Sequence, residues 1–261
     1  MILEIKNIKM SFTNARKETF NLLNGVNLNV EAGKITALVG GNGAGKTTLF
    51  NIITGFEKGY TGDVVFEGHN MNKITPYKNS LMGIGRLFQG GQLLEGLTLM
   101  ENMKVASDDE TGERPLQSLI LHRKVREKEE MKEKQAKEIL TRVFGPDNKY
   151  LQMMDNDASS FSYGEQRLLS LARLLMGNDR LLLLDEPTSG VNPVYIKTIE
   201  KIIRDMVEKD GITVLLIEHN MQFVRKIADT CAYLDEGVIT KVGPTATVLD
   251  DKSVRNSYLG L

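Results

Sequence analysis

The residues best suited to chemistry in this sequence form a glycine-rich segment, 40–47, that reads GGNGAGKT. This segment matches the pattern G-x-x-x-x-G-K-[ST] in full. Glycines let the backbone curl so that its N–H groups point at phosphate oxygens, Lys46 places a cation on the β- and γ-phosphates, and Thr47 offers a hydroxyl to Mg²⁺. An ordinary glycine-rich turn is the alternative. We interpret the segment as a nucleotide-binding loop whose contacts are Gly40, Asn42, Gly43, Ala44, Gly45, Lys46, Thr47 and Thr48.

A second candidate site consists of two acids, Asp185 and Glu186, that directly follow four leucines. In an open α/β sheet, ligands bind outside the carboxyl ends of the strands. Asp185 is suited to hold Mg²⁺ through water, and Glu186 is suited to polarise a water for in-line attack on a γ-phosphate. An acidic turn before Pro187 is the alternative, and the nearby phosphate loop favours the catalytic interpretation.

The elements that must position these residues follow an α/β pattern. Alternating polar and apolar residues predict half-buried strands over 2–12 and 22–30, and short apolar runs predict buried strands over 35–39, 181–184 and 212–217. A glycine-rich turn and a helix over 45–54 follow the run 35–39, and a second helix is predicted from Pro193 onward. A hairpin is predicted to turn at Glu236 and Gly237. Strand signals vanish over 90–160, where 122–138 reads as a charged, solvated helix. The sequence therefore predicts an α/β core interrupted by one helical insertion.

Composition limits the classes of protein that this chain can represent. The chain has 261 residues with 33 Lys and Arg against 34 Asp and Glu, a balance that argues against a strongly basic nucleic-acid binder. Its one cysteine, Cys231, excludes an intrachain disulfide and a cysteine zinc cluster. No apolar run approaches the roughly 20 residues of a membrane span, and the first ten residues do not read as a secretory signal.

The segment 161–167, FSYGEQR, helps to distinguish between classes of nucleotide-binding protein. Ser162 and Glu165 fit a capping box at the start of an amphipathic helix, which accounts for those two residues alone. With its place upstream of Asp185, the segment resembles the signature L-S-G-G-Q of the ATP-binding cassette (ABC) family. Phe161, Tyr163 and Glu165 replace the family's Leu, first Gly and Gln. The resemblance implies that Ser162, Tyr163, Gly164 and Glu165 contact the ATP of a partner subunit.

Other motifs follow the order of the same family. Gln89 resembles the glutamine that senses Mg²⁺ and the attacking water, and His219 resembles the switch histidine at the γ-phosphate. Asn192 stands where the family has the Asp of its S-A-L-D loop. Phe12 is the aromatic residue that would stack on adenine, with a core role as the alternative and Phe20 in reserve. The resemblance assigns catalysis to Glu186, His219 and Gln89, and metal contacts to Thr47, Gln89 and Asp185.

The resemblance also implies a fold and a domain organisation. It implies an α/β P-loop NTPase core with an N-terminal antiparallel β subdomain and an inserted α-helical subdomain. The whole chain, 1–261, is then a single ABC ATPase domain. Its nucleotide-binding core is 1–89 and 167–261, and its helical insertion is 90–166, which ends in the signature segment.

Finer details resemble the ATPase subunits of branched-chain amino-acid importers. They include Thr54 to Phe56, Gly190 to Pro193, Ile217 to Met221 and the tail Tyr258 to Gly260. Gly41 stands where these relatives usually have Pro. The expected function is ATP hydrolysis that powers import of branched-chain amino acids or a similar small solute. A lipopolysaccharide or lipid export ATPase and a soluble, non-transport ABC dimer clamp are the alternatives.

The same resemblance implies cofactors, partners and a location. We expect ATP and Mg²⁺, a second ABC subunit that is identical or paralogous, transmembrane permease subunits and no nucleic acid. Each ATP would lie between the phosphate loop of one subunit and the signature of the other, at the cytoplasmic face of the membrane. Residues 92–99 would form the surface that receives the permease, with Leu93, Leu94, Leu97 and Leu99 as the docking patch. Packing inside the insertion is the alternative for each of these leucines.

Overall fold

The computed structural model describes residues 1–13, 18–90, 93–107 and 122–259, of which 122–124 and 257–259 are described by their backbone alone. The chain divides into two compact units. The first unit is Met1–Gln89, Arg180–Thr188 and Ile203–Leu261, and the second is Gly90–Asp179 and Ser189–Ile202. The predicted insertion ended at residue 166, whereas the structure groups 167–179 and 189–202 with the second unit as well.

The strands of the first unit are, in chain order, β1 (Leu3–Thr13), β2 (Thr19–Val30), β3 (Ile35–Val39), β4 (Thr61–Phe66), β5 (His69–Asn70), β6 (Ile84–Leu87), β7 (Leu181–Asp185), β8 (Thr213–Ile217), β9 (Thr230–Asp235) and β10 (Val238–Pro244). Its helices are α1 (Lys46–Ile53), α2 (Pro76–Leu81), α7 (Met221–Ile227), α8 (Thr245–Leu249) and α9 (Lys252–Leu259). The helices of the second unit are α3 (Leu99–Val105), α4 (His122–Phe144), α5 (Tyr163–Leu174) and the first part of α6 (Pro193–Glu208).

One sheet is antiparallel and runs in the order β2-β1-β4-β5. Strand β1 buries Leu3, Ile5, Ile8 and Met10. Buried positions two residues apart are normal for a half-buried strand, and the step of three from Ile5 to Ile8 coincides with an irregularity in the pairing of β1 with β2. This sheet confirms the predicted N-terminal antiparallel β subdomain.

The other sheet runs in the order β10-β9-β3-β8-β7-β6. Strands β9, β3, β8, β7 and β6 are parallel, and β10 pairs antiparallel with β9 through a turn at Glu236 and Gly237, as predicted. Every residue of β3, β7 and β8 is buried, which is typical of parallel strands covered on both faces. The carboxyl ends of the parallel strands meet at one edge, where the chain continues into most of the predicted site residues.

In the second unit, α4 has one apolar stripe and an otherwise charged surface. Ala136, Ile139, Leu140 and Val143 are buried. Ion pairs between residues four apart cover its exposed part, among them Lys137 with Glu133 at 2.7 Å. In the described ranges, no helix combines the length and the apolar composition that crossing a membrane requires.

The loop before α3 is fastened by Asn102, a fully buried side chain of that helix. Its Oδ1 accepts hydrogen bonds from Leu94 N at 2.6 Å and from Arg173 Nη1 of α5 at 3.3 Å. Its Nδ2 donates to the carbonyls of Leu94 and Thr98, each at 3.0 Å. A capping box between Thr98 and Glu101 begins the helix itself.

The predicted docking patch is largely internal. Leu93 and Leu99 are buried, Leu97 is half-buried and Leu94 is exposed, while Gln92 lies outside the described residues. The structure therefore shows the alternative, packing within the second unit, for Leu93 and Leu99, and leaves Leu94 exposed.

A candidate nucleotide site at the carboxyl edge of the parallel sheet

The phosphate loop joins β3 to α1, as the sequence predicts. Gly43 and Gly45 have φ angles of 78° and 100°, a left-handed backbone that residues with a Cβ rarely adopt. Gly45 is the N-cap of α1, and no described side chain caps this helix start. The first N–H groups of α1 therefore remain available for an anion.

Gly40, the first glycine of the loop, is required by a close contact rather than by a left-handed backbone. A Cβ on Gly40 would lie 2.2 Å from the carbonyl oxygen of Leu234 in β9. The loop thus rests directly on the backbone of a strand. The neighbouring Gly41 has open space around the same position.

Lys46 is buried and held by the loop itself. Its Nζ donates to the carbonyl oxygens of Gly40 at 2.8 Å and Gly41 at 2.9 Å. Burial lowers the pKa of Lys46, and the carboxylates of Glu186 and Asp185 act in the opposite direction. The charge of Lys46 is therefore placed near both acids of the second predicted site.

Two of the predicted catalytic residues, Gln89 and His219, contact the third, Glu186. It follows β7 with a φ of 48°, in the left-handed region, so its side chain departs from the alternation of the strand. Its Oε2 accepts a hydrogen bond from Gln89 Nε2 at 3.1 Å, and its Oε1 lies 3.2 Å from His219 Nε2. Gln89 follows β6 and His219 follows β8, the strands on either side of β7.

Arg86, a residue that the sequence analysis missed, connects Asp185 to the phosphate-loop helix. Its Nη2 lies 3.5 Å from Asp185 Oδ2, with the side chains 5% and 1% exposed. Its Nη1 donates to Asn51 Oδ1 at 2.8 Å and to Thr54 Oγ1 at 3.0 Å. Burial lowers the pKa of Arg86 and Asp185 opposes that shift. The available signal was a basic residue inside a short strand next to Phe88, whose ring centre lies 4.4 Å from the guanidinium carbon.

Glu218 is a second missed residue, and it positions His219. This buried carboxylate accepts hydrogen bonds from the backbone N–H groups of Thr188 at 2.8 Å, His219 at 2.9 Å and Asn220 at 3.1 Å. It thereby joins the turn after β7 to the turn after β8. The signal in the sequence was an acid that directly follows the predicted strand 212–217 and directly precedes the predicted histidine.

The two aromatic candidates for adenine lie face to face near the end of β1 and the start of β2. The rings of Phe12 and Phe20 are stacked with centroids 5.8 Å apart and an interplanar angle of 29°. Phe20 is exposed, whereas Phe12 is half-buried against the core between the two sheets. Phe12 therefore packs partly in the core, and its stacking on adenine stays a prediction.

The signature residues lie in the second unit, at the start of α5. Ser162 and Glu165 form the predicted capping box. The hydroxyl of Tyr163 donates to the carbonyl of Ser189 at 3.3 Å. Gly164 packs so tightly on Tyr195 that a Cβ would lie 2.6 Å from the ring. Tyr163 and Gly164 of the signature thus contact residues of their own unit.

The donors at the edge of the first unit suit Mg²⁺. Thr47 offers a hydroxyl oxygen, Asp185 a carboxylate, and Gln89 an amide oxygen, since its amide nitrogen is directed to Glu186. These are hard oxygen ligands, which Mg²⁺ prefers. Within the described residues, no group of three or more His, Cys, Asp or Glu could hold a metal ion. Mg²⁺ commonly binds through one or two carboxylates together with phosphate oxygens of a substrate.

A phosphate loop on a mixed sheet, an acidic strand end and an appended antiparallel sheet define an ATP-binding cassette. The ABC transporter family model matches residues 23–189. A probable branched-chain amino acid transport ATP-binding protein LivG of Archaeoglobus fulgidus is 35% identical over 260 residues, which cover 99% of this chain and 95% of that protein. The high-affinity branched-chain amino acid transport ATP-binding protein BraF of Pseudomonas aeruginosa is 32% identical, with 99% and 98% covered.

A solved structure agrees with these sequence matches. The ADP conformation of MJ1267, an ATP-binding cassette of an ABC transporter, has a TM-score of 0.80 and 32% identity, and the match covers 100% of this chain and 99% of that one. The chain therefore belongs to the ABC transporter family, as an ATP-binding and ATP-hydrolysing subunit. The predicted family and fold class are confirmed.

Proposed function

We propose that this chain hydrolyses ATP to power import of branched-chain amino acids or a similar small solute. The convergence of Gln89 and His219 on Glu186 beside Asp185 carries the catalytic part of this proposal. The names of the LivG and BraF relatives, which match nearly the whole chain, support the cargo. The proposal predicts that uptake of branched-chain amino acids depends on this chain.

In the proposed reaction, a water attacks the γ-phosphorus while the bond to the β–γ bridging oxygen breaks, which gives ADP and phosphate. The loop N–H groups and Lys46 bind the phosphates. Glu186 accepts the proton of the attacking water, and Gln89 and His219 hold its carboxylate in place. Thr47, Gln89 and Asp185 would hold Mg²⁺, which when bound would supply charge stabilisation for the phosphate oxygens. Phe12 stacks on the adenine ring.

The signature residues complete the site of a second subunit, identical or paralogous. The start of α5 presents N–H groups and the positive end of the helix dipole, which would favour a γ-phosphate across the interface. ATP then joins two subunits, and loss of the γ-phosphate releases them. Ser162, Tyr163, Gly164 and Glu165 are the residues proposed to face the partner's ATP.

The proposed partners also include transmembrane permease subunits, with this chain peripheral at the cytoplasmic face of the membrane. Phe56 and Phe88 support this, because both rings are exposed and contact each other edge to face at 5.4 Å. An exposed aromatic pair suits an apolar segment of such a subunit. Phe88 directly precedes Gln89, so a docked segment would lie next to the catalytic residues.

The test compares Glu186→Gln with the wild type and with the control Glu31→Gln, which changes an exposed acid outside the site. Glu186→Gln should bind ATP and lose about 10²- to 10⁴-fold in hydrolysis rate, while Glu31→Gln should match the wild type. Wild-type turnover in Glu186→Gln would refute its role as the base.

The cargo is tested in the native host. Membranes extracted with ATP-loaded Glu186→Gln should yield hydrophobic permease subunits by mass spectrometry, and deletion of the chain should abolish uptake of radiolabelled leucine. Lipid-export subunits, or soluble chains alone, would overturn the importer proposal.

A further inference from the structure

Glu165 places a negative charge in a segment that is proposed to face a phosphate. Its family counterpart is a neutral glutamine, so the replacement needs a compensating interaction. The Glu165 Oε2 atom accepts hydrogen bonds from the Ser162 N–H at 2.9 Å and from the Ser162 hydroxyl at 2.7 Å. The other oxygen, Oε1, is paired with Lys149 Nζ. Lys149 and Ser162 are therefore held by the two oxygens of one carboxylate.

Lys149 lies on a short turn that is anchored by buried residues. It begins the short 3₁₀ helix Lys149–Leu151, whose N-cap Asn148 accepts a hydrogen bond from Leu151 N at 3.2 Å and donates one to Leu140 O at 3.1 Å. The adjacent Tyr150 is buried and packs against Phe161, with ring centroids 6.1 Å apart. The side chain of Lys149 is 59% exposed and that of Glu165 is 11% exposed. The ammonium group thus reaches the surface beside the signature.

The charges near Glu165 favour its ionised form. Burial raises the pKa of Glu165, but the Lys149 ammonium and the two Ser162 donors outweigh burial and lower the pKa overall. The same pairing raises the pKa of Lys149. Tyr150 and Tyr195 are the other titratable side chains that interact with this pair, and burial raises the pKa of Tyr150. Both members of the pair are therefore charged at neutral pH, and their net charge is zero.

We propose that Lys149 is a positioning residue of the ATP site that forms with the partner subunit. Lys149 cancels the negative charge of Glu165. Glu165 can then hold Ser162 at the helix start without repelling the γ-phosphate of the partner's ATP. This inference rests on the proposed function, because it requires ATP to lie between two subunits. A carboxylate paired with a lysine then replaces the glutamine amide of the family signature.

The experiment measures ATP-driven dimerisation of the full chain by sedimentation, in a Glu186→Gln background that retains ATP. Lys149→Met should weaken the ATP contact roughly fivefold at each site, or about 25-fold for a dimer with two sites. Glu165→Gln in the same chain should restore dimerisation, because the charge that needs compensation is then gone. Lys134→Met, which removes an equally flexible exposed lysine of α4, is the matched control and should have no effect.

The outcomes separate this inference from the proposed function. Failure of ATP to dimerise the Glu186→Gln parent would overturn the two-subunit site and the role of Lys149 together. A dimerising parent with unchanged Lys149→Met would overturn the role of Lys149 alone. Loss of dimerisation that Glu165→Gln does not restore, or a parallel fall in melting temperature of the nucleotide-free chain, would show a structural role and also overturn it.

Discussion

The buried pair of Arg86 and Asp185 yields a quantitative prediction for the first unit. Replacing Arg86 with methionine removes the cation while leaving Asp185 charged and almost inaccessible to water. Loss of one partner of a buried ion pair costs about 3 to 5 kcal/mol. The expected loss lies near the lower end, at about 3 kcal/mol, because Lys46 also interacts with Asp185 and Thr54 keeps its own hydrogen bond to Phe50 O.

Burial, rather than distance, sets this magnitude. Arg180 forms a closer ion pair, with Nη1 2.9 Å from Glu67 Oε2, but its side chain is 56% exposed. Arg180→Met is therefore the matched control, and it should cost at most about 1 kcal/mol. The pair with the longer distance should therefore show the larger loss.

Hydrogen exchange at the amides of β7 is a suitable assay, because it reports on this unit without assuming that both units unfold together. It should be combined with a double-mutant cycle of Arg86→Met and Asp185→Asn. The expected coupling is about 1 to 3 kcal/mol, since the double variant carries neither of the two charges. Losses that add within about 0.5 kcal/mol, or an Arg180→Met loss as large as that of Arg86→Met, would refute the reasoning.

Two further predictions concern neighbouring glycines of the phosphate loop. Gly41→Pro should raise the melting temperature by about 1 to 4 °C in calorimetry, because the backbone there lies outside the left-handed region and proline restricts the unfolded chain; a lower melting temperature would contradict this. Gly40→Ala should cost about 1 to 3 kcal/mol and weaken ATP binding in a nucleotide titration, because its Cβ would collide with the Leu234 carbonyl. Gly41→Ala is the control, and equal losses in both alanine variants would contradict the collision.

The parts of the site that were predicted depend on local patterns at strand ends. Gln89, Glu186 and His219 come from three separate motifs, and they meet because parallel strands bring their carboxyl ends to one edge. Such convergence requires only the order of strands in the sheet. The sequence therefore predicted the residues that hold the base, although their individual roles remain proposals.

The parts that were missed depend on long-range partners. Arg86 contacts Asn51 and Asp185, which are 35 and 99 residues away in sequence, so no local spacing could indicate the cluster. The pairing of Lys149 with Glu165 likewise joins a 3₁₀ turn to a helix start. For Leu93 and Leu99 the sequence left two alternatives open, because an apolar residue alone does not show whether it packs inside its own unit or against a partner.

Asn102 restrains the segment 94–98, because its side chain is hydrogen-bonded to the backbone at both ends of that segment. One amide side chain fastens both ends of that segment, and Arg173 attaches the same oxygen to α5. A force applied at Leu94, the exposed residue of the segment, would meet a stiff body rather than a compliant loop. Within this unit, the amide of Asn102 therefore connects Leu94 to α3 and to the last turn of α5, the helix that begins with the signature residues.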